Sequence, residues 1–332
     1  MANRIHSDKL EVLVRSARMF YEERLTKSQI AEALEVSNTH VKRLLDEALK
    51  RGIVRIAVVE NPHLAHIEQA LEARFHLRVA RVAPATDDYE HQKEALGHVA
   101  AQLFEELVTV GARVGIGGGG SLKAMVDVLP VQPREIQIAP MALVGRGPRL
   151  EHVDPAFLAA LLYYKSAPKA QAAVVGMPPI PRDPTARAAF IDIVEKDIPE
   201  VAAVLAEARL STVAFVGLGG PGTVPELVSA LERSDTSHKQ QVRAAGGVNY
   251  NYFDTEGNHL GQFFTSMPLN HLQTMAADPG RILVIVAGGA HKVQSLQIAF
   301  RAGFANSLVT DEKTALRLLD ASSEQRYSAG MH

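Results

Sequence analysis

Apolar residues recur at helical spacing through the first 50 residues. In the first such segment they lie three or four positions apart, at Leu10, Leu13, Val14, Ala17 and Phe20. This spacing predicts an amphipathic helix, with Asp8 as its N-cap. A second helix is predicted after Thr26, because Thr26 and Gln29 have the spacing of a capping box. We expect it to end near Leu34.

A third helix follows after only two or three residues. Ser37 is placed to cap it, and its apolar stripe is Val41, Leu44, Leu45 and Ala48. Gly52 supplies a left-handed stop, and the apolar run 53–59 then predicts a strand that ends at Asn61 and Pro62. The 332-residue length favours two domains. We therefore predict domains at 1–60 and 61–332.

Beyond residue 61, apolar strands alternate with helical stretches. Three strands, at 113–117, 213–217 and 282–287, end in glycine-rich turns that open into helices. Further strands are predicted at 79–83, 136–144, 172–175 and 307–310. Because a strand, a tight turn and a helix repeat in this order, the sequence predicts an α/β domain with a Rossmann-like parallel sheet.

Composition excludes several classes of protein. Hydrophobic residues make up 47% and charged residues 22%, which is typical of folded proteins and excludes disordered or fibrous chains. The absence of cysteine excludes disulfides and thiolate chemistry, and the histidines form no zinc-binding pattern, so no metal and no cofactor is expected. With neither a signal-like N-terminus nor a long apolar run, a cytoplasmic location is expected.

The second and third helices have the pattern of a helix-turn-helix. If the apolar stripe faces inward, polar residues at the start of the third helix face outward: Ser37, Asn38, Thr39, His40, Lys42 and Arg43. Such side chains pair with base edges and phosphates, so we predict that they bind DNA. The alternative is a helical hairpin with a solvated polar face. Glu35 stands where a glycine is usual in the turn, and the net charge of −2 by itself argues against nucleic acid.

The glycine-rich turns are candidate anion sites. In the first, Gly118, Gly119, Gly120 and Ser121 would present backbone N–H groups and a hydroxyl at a helix N-terminus. Gly219 lies in the second, and Lys292 adds a cation to the third. The first turn is not a phosphate-binding Walker loop, and its dinucleotide-like glycine spacing is weak evidence. The alternatives are tight turns that only pack and an exposed lysine.

Two other polar residues are candidates for the same site. Asp254 would accept hydrogen bonds from ligand hydroxyls, unless it only closes the bend toward Gly257. Arg146, between two glycines, would reach an anion, although a plain turn is equally compatible with this context.

Taken together, these segments resemble the SorC family of sugar-responsive bacterial transcription regulators, including its deoxyribonucleoside-regulator branch. The resemblance covers nearly the whole chain and rests on these segments, in order: 17–21, 25–31, 41–54, 114–121, 253–257, 286–292 and 308–311. It implies a DNA-reading helix and a sugar-binding domain related to the glucosamine-6-phosphate deaminase and ribose-5-phosphate isomerase folds. By position, it implies that Ser121 holds a phosphate, Asp254 a sugar hydroxyl, and Lys292 the anionic or carbonyl end.

The sequence therefore predicts a transcriptional regulator of a carbohydrate-metabolism operon, with a sugar or sugar-phosphate effector. Operator DNA and a second copy of the chain are its expected partners, as a homodimer or homotetramer without membrane contact. The alternative is a sugar-phosphate isomerase or deaminase. Such an enzyme needs a positioned general acid and base, and the sequence does not identify such a pair.

Overall fold

The structure is a computed structural model that describes residues 2–50, 53–54, 62–86, 88–144, 153–178, 180–181, 183–221, 244–260 and 264–320. The chain divides into two compact units, residues 1–60 and 61–332. Among the described helices, none has the length and apolar character to span a membrane. Gly52 and most of the strand predicted at 53–59 lie outside the described residues.

The described part of the first unit contains three helices: α1 (Ala2–Tyr21), α2 (Lys27–Ala33) and α3 (Asn38–Lys50). The predicted capping box is present, since the Gln29 N–H donates to Thr26 Oγ1 and the Thr26 N–H donates to Gln29 Oε1. The predicted stripe of α3 is buried, with Val41 and Ala48 fully inaccessible. Asp8 does not cap α1, because the helix begins six residues earlier.

The second unit contains nine described helices longer than one turn. They are α4 (Pro62–Phe75), α5 (Tyr89–Leu107), α6 (Gly120–Val128), α7 (Pro155–Ser166), α8 (Pro184–Asp197), α9 (Pro199–Arg209), α10 (Leu269–Ala277), α11 (Val293–Arg301) and α12 (Glu312–Asp320). A single 3₁₀ turn, Ala290–Lys292, precedes α11 within the described chain.

The described strands of this unit are β1 (Val79–Ala83), β2 (Arg113–Ile116), β3 (Gln137–Pro140), β4 (Ala142–Leu143), β5 (Gln171–Ala172), β6 (Val213–Gly219), β7 (Gly246–Val248), β8 (Asn251–Phe253), β9 (Thr265–Ser266), β10 (Ile282–Val286) and β11 (Ser307–Asp311). Seven of them form a parallel series in the order β1-β11-β10-β6-β2-β3-β5. The hairpin β7–β8 extends β6 in antiparallel fashion, and β4 pairs with β9.

Both faces of the parallel sheet are buried. Alternate residues of β10 point to opposite sides, so that Leu283 and Ile285 join one hydrophobic cluster and Val284 and Val286 the other. Helices cover each face, which is the arrangement that crossover connections produce in a parallel sheet. The near-continuous apolar runs of the central strands follow from this burial on both sides.

The free edge of the sheet at β1 is covered by carboxylates. The backbone N–H groups of Ala80 and Val82 donate to Glu72 Oε1 and Glu68 Oε1, each at 2.8 Å. Glu68 and Glu72 are one helical turn apart on α4, and this spacing matches alternate residues of a strand. Because the unpaired donors of an edge strand invite pairing with other chains, these two glutamates protect the edge.

The predicted glycine-rich turns follow three strands that lie side by side, β10, β6 and β2. The turn after β2 leads directly into α6, and the turn after β10 leads through the 3₁₀ turn into α11. The segment that follows the turn after β6 lies outside the described residues. Since parallel strands end at the same edge, the three turns meet at the carboxyl edge of the sheet, where ligands bind in open α/β sheets.

Candidate functional site

A cavity of about 330 Å³ opens at this carboxyl edge. Its walls are the turn after β2, the ends of β6 and β10, the β7–β8 hairpin and the end of the 3₁₀ turn. The residues that line it are Gly118, Gly119, Gly120, Ser121, Leu122, Gly217, Leu218, Gly219, Gly247, Asn249, Tyr250, Tyr252, Val286 and Lys292. No acidic side chain is among these described lining residues.

Six residues predicted from the sequence to bind the effector are brought together here: Gly118, Gly119, Gly120, Ser121, Gly219 and Lys292. The first four belong to the turn that begins α6. Gly119 has a φ of 120°, a conformation that favours glycine, and it offers no side-chain cap to the helix. The first N–H groups of α6 therefore have no intrahelical acceptor, and they lie at the positive end of the helix dipole.

Lys292 contributes the cationic side chain of the lining. Burial lowers the pKa of its ammonium group, and the negative charge of Asp311 partly offsets this effect. Within the described chain, the ammonium group forms no hydrogen bond or ion pair. A cation that loses hydration without gaining a partner is costly, so the site favours an anion.

Asp311 and Thr314 hold the turn that precedes Lys292. The Gly289 N–H donates to Asp311 Oδ2 at 2.9 Å and lies 2.8 Å from Thr314 Oγ1. The Thr314 hydroxyl in turn donates to Asp311 Oδ2 at 2.7 Å, and both side chains are buried. This network fixes the backbone from which Lys292 extends.

The β7–β8 hairpin supplies three lining residues that the sequence analysis did not select: Asn249, Tyr250 and Tyr252. Burial raises the pKa of the Tyr252 hydroxyl to about 12, so this group stays protonated. The ring of Tyr250 packs against Phe264 with its centroid 5.4 Å away. The run of Asn and Tyr residues before Asp254 was the available signal, since amide and phenol groups commonly contact polar ligands.

Asp254 lies outside the cavity lining. Its Oδ1 accepts from the Glu256 and Asn258 N–H groups at 3.0 and 2.8 Å, and Oδ2 accepts from Asn258 Nδ2 at 3.1 Å. Burial, the largest single cause, raises the pKa of the carboxyl group, but the hydrogen bonds together outweigh it, so the net shift of the pKa is downward. Asp254 therefore closes the bend toward Gly257, which was the alternative interpretation of this residue. Contact between Asp254 and an effector stays a prediction. Arg146 lies outside the described residues.

The exposed face of α3 carries the residues predicted to read DNA. Asn38, Thr39, Lys42 and Arg43 are exposed, and the Ser37 hydroxyl accepts from the His40 N–H at 3.2 Å. Arg43 Nη2 lies 3.3 Å from His40 Nδ1. The turn before α3 is tight because Glu35 adopts a left-handed φ of 53°, the conformation for which glycine is usual.

No group of side chains suited to hold a metal ion occurs in the part of the chain that the structure describes. The fold and the cavity define an α/β ligand-binding unit that is joined to a helical unit of helix-turn-helix form.

Comparison with known proteins agrees with this class. The family model described as "Putative sugar-binding domain" matches residues 59–320. The sorbitol operon regulator of Klebsiella pneumoniae is 26% identical over 322 residues, which cover 95% of this chain and 99% of that protein. The deoxyribonucleoside regulator of Bacillus subtilis is 24% identical over 320 residues, with coverage of 94% and 98%.

Among solved structures, the full-length sorbitol operon regulator SorC of Klebsiella pneumoniae has a TM-score of 0.65 at 23% identity. The match covers 94% of this chain and 99% of that one, and it confirms the predicted α/β fold class. The chain belongs to the sugar-binding family of SorC-type transcriptional regulators. It is a sugar-responsive transcriptional regulator and not an enzyme.

Proposed function

We propose that the cavity at the carboxyl edge binds a phosphorylated sugar and that this binding changes the affinity of the protein for its operator. The observation that carries the proposal is Lys292, which is partly buried and whose ammonium group forms no hydrogen bond or ion pair with the described residues. It lines the same cavity as the uncapped N-terminus of α6, and both features favour an anion. In this proposal the phosphate lies against Gly118–Ser121 and pairs with Lys292.

The sugar portion would occupy the rest of the cavity, next to the β7–β8 hairpin. A volume of about 330 Å³ is within the range of small-ligand sites, which begins at roughly 300 Å³. Polar and aromatic groups share its walls, which suits a sugar because each sugar ring has hydroxyl edges and apolar faces.

The DNA partner would be contacted by α3. Its exposed face presents amide, hydroxyl and cationic side chains, the groups that bind base edges and phosphates in the major groove. A two-fold operator needs two such helices about one DNA turn apart, so we propose that the protein acts as a homodimer or homotetramer in the cytoplasm. The target is proposed to be a carbohydrate-metabolism operon.

Effector and operator are coupled by linkage in this proposal. A sugar phosphate changes DNA affinity only to the extent that it binds more tightly to one of two states of the protein. The coupling is reciprocal, so operator DNA changes effector affinity by the same factor.

The test uses the full chain and a fluorescent fragment from upstream of its own operon. Anisotropy titrations with and without each member of a sugar-phosphate panel give the change in operator affinity, and calorimetry gives direct effector binding. We expect Lys292→Met to abolish effector binding while unliganded operator affinity is kept. The matched control is Lys196→Met, because Lys196 lies on α8 outside the cavity lining. Effector binding retained by Lys292→Met would contradict the assigned site.

A further inference from the structure

The β7–β8 hairpin, which forms one wall of the cavity, has a loop conformation that is unusual for its residues. Val248 pairs with Asn251, so the β7–β8 loop contains only Asn249 and Tyr250. Their φ angles are 47° and 63°, both left-handed. Two-residue hairpins of this kind favour Asn followed by Gly, and a bulky residue in the second position is strained. Strain of this type collects at ligand sites.

The Asn249 side chain is held in one orientation. It is 3% exposed, and its Nδ2 donates to the Met141 carbonyl oxygen at 2.8 Å. This contact assigns the amide nitrogen, since a carbonyl oxygen can only accept, and it places Oδ1 on the other side of the group. Oδ1 has no hydrogen-bond partner among the described residues.

The unpaired Oδ1 lies beside the turn that follows β2. A Cβ atom on Gly117 would be 3.2 Å from it, while Asn249 itself lines the cavity together with Gly118. Buried acceptors in native proteins are almost always paired, because an unpaired one loses hydration with no compensation. A buried, unpaired acceptor on a side chain that lines a ligand cavity points to a donor that the ligand supplies.

We propose that Asn249 determines sugar specificity by accepting, through Oδ1, a hydrogen bond from a hydroxyl group of the effector. The proposal rests on the proposed function, because it assigns a second contact within the same effector. A phosphate oxygen at neutral pH is mainly an acceptor, so it does not satisfy Oδ1, whereas a sugar hydroxyl does. Lys292 and α6 therefore select the anion, and Asn249 selects a hydroxyl at a set position.

Asn249→Gly is a suitable variant. Glycine adopts the left-handed φ of this position without strain. The Met141 carbonyl oxygen keeps a partner when the amide is removed, because it also accepts from the Met267 N–H at 2.9 Å. The matched control is His76→Gly, which relieves the same conformation, with a φ of 53°, at an exposed position outside the cavity lining.

The experiment is calorimetry of the full chain with ribose 5-phosphate, glucose 6-phosphate, their 2-deoxy analogues, fructose 6-phosphate and inorganic phosphate. For the sugar phosphate that binds the unaltered protein most tightly, we expect Asn249→Gly to weaken binding about tenfold, as for loss of one hydrogen bond to a buried acceptor. Inorganic phosphate should bind both proteins within about twofold. His76→Gly should behave as the unaltered protein.

The ligand series gives a second, independent measurement. This series consists of analogues of that sugar phosphate, each lacking one hydroxyl group. One analogue should bind the unaltered protein about tenfold more weakly than the complete sugar phosphate does. Asn249→Gly should bind that analogue and the complete sugar phosphate with equal affinity. In a crystal structure of the unaltered complex, the same hydroxyl should lie within about 3.2 Å of Oδ1. The ligand series and the crystal structure decide the question even if the variant does not fold.

Different failures have different meanings. Unchanged sugar affinity in Asn249→Gly, equal weakening of sugar phosphate and inorganic phosphate, or a water molecule on Oδ1 in the complex would each overturn the role of Asn249 while leaving the proposed function intact. If the unaltered protein binds inorganic phosphate but no sugar phosphate, or binds nothing in the panel, the proposed effector class is overturned and this inference with it.

Discussion

A Cβ atom on Gly118 would lie 2.3 Å from the Tyr250 hydroxyl oxygen and 2.5 Å from the Val153 carbonyl oxygen. The turn after β2 and the β7–β8 hairpin therefore approach each other more closely than any residue other than glycine permits at position 118. This contact closes one wall of the cavity.

We predict that Gly118→Ala destabilises the protein by about 1–3 kcal/mol, the usual cost of forcing a methyl group into a packed site. The Tyr250 phenol or the Val153 backbone must move, so effector affinity should also fall. Thermal unfolding and calorimetry measure the two effects. Gly176→Ala is the control, since no atom lies within 4 Å of its Cβ position, and its stability should stay the same or rise by up to about 1 kcal/mol. Equal stability of the two variants would contradict the close approach.

The lowered pKa of Lys292 predicts a pH dependence of effector binding. An anion beside the ammonium group raises its pKa in the complex relative to the free protein. The contribution of this ion pair to binding is therefore complete below the pKa of Lys292 in the free protein. It is lost as the pH rises through the pKa of Lys292 in the complex. Affinity for a sugar phosphate should decline at alkaline pH, and the decline should begin below the ordinary pKa of lysine. Calorimetry in two buffers of different ionisation enthalpy should show proton uptake there, and the control Lys196→Met should show the same uptake.

Lys42 is predicted to contact a DNA phosphate. Replacement by alanine should reduce the slope of log K against log salt concentration by about 0.9, because one fewer counterion is released. Anisotropy titrations at several salt concentrations measure the slope. Lys196→Ala serves as the control and should leave it unchanged, because Lys196 lies on α8 in the other unit. A slope that Lys42→Ala leaves unaltered would remove Lys42 from the interface.

Glu35→Gly should stabilise the turn between α2 and α3 by about 1 kcal/mol. Glu35 is exposed and left-handed, and glycine adopts that conformation without the steric cost of a Cβ atom. Hydrogen exchange of the α2 and α3 amides in the full chain measures the local opening free energy. Glu32→Gly, an exposed position within α2, should lower it by a similar amount. A loss of protection in Glu35→Gly would show that the Glu35 side chain stabilises the turn.

Much of the secondary structure was predictable because its determinants are local. The capping box of Thr26 and Gln29 and the buried stripe of α3 depend on residues three or four positions apart. The strand at 79–83 was predicted with its bounds because an apolar run between turn signals identifies it. Asp8 was assigned wrongly as the cap of α1 because residues 2–9, which are mostly polar, continue the helix without an apolar periodicity.

The sequence by itself determined two kinds of unit, a helix-turn-helix and an α/β domain, and it determined which turns contain glycine. Only the tertiary structure decided that β10, β6 and β2 are neighbours, so that turns more than 150 residues apart in the chain line one cavity. It also decided that Lys292 forms no hydrogen bond or ion pair within the described chain, that Asp254 closes its own turn, and that Asn249 has an unpaired oxygen among the described residues. Periodicity and capping act over a few residues, whereas strand order, burial and hydrogen-bond satisfaction depend on contacts between distant segments.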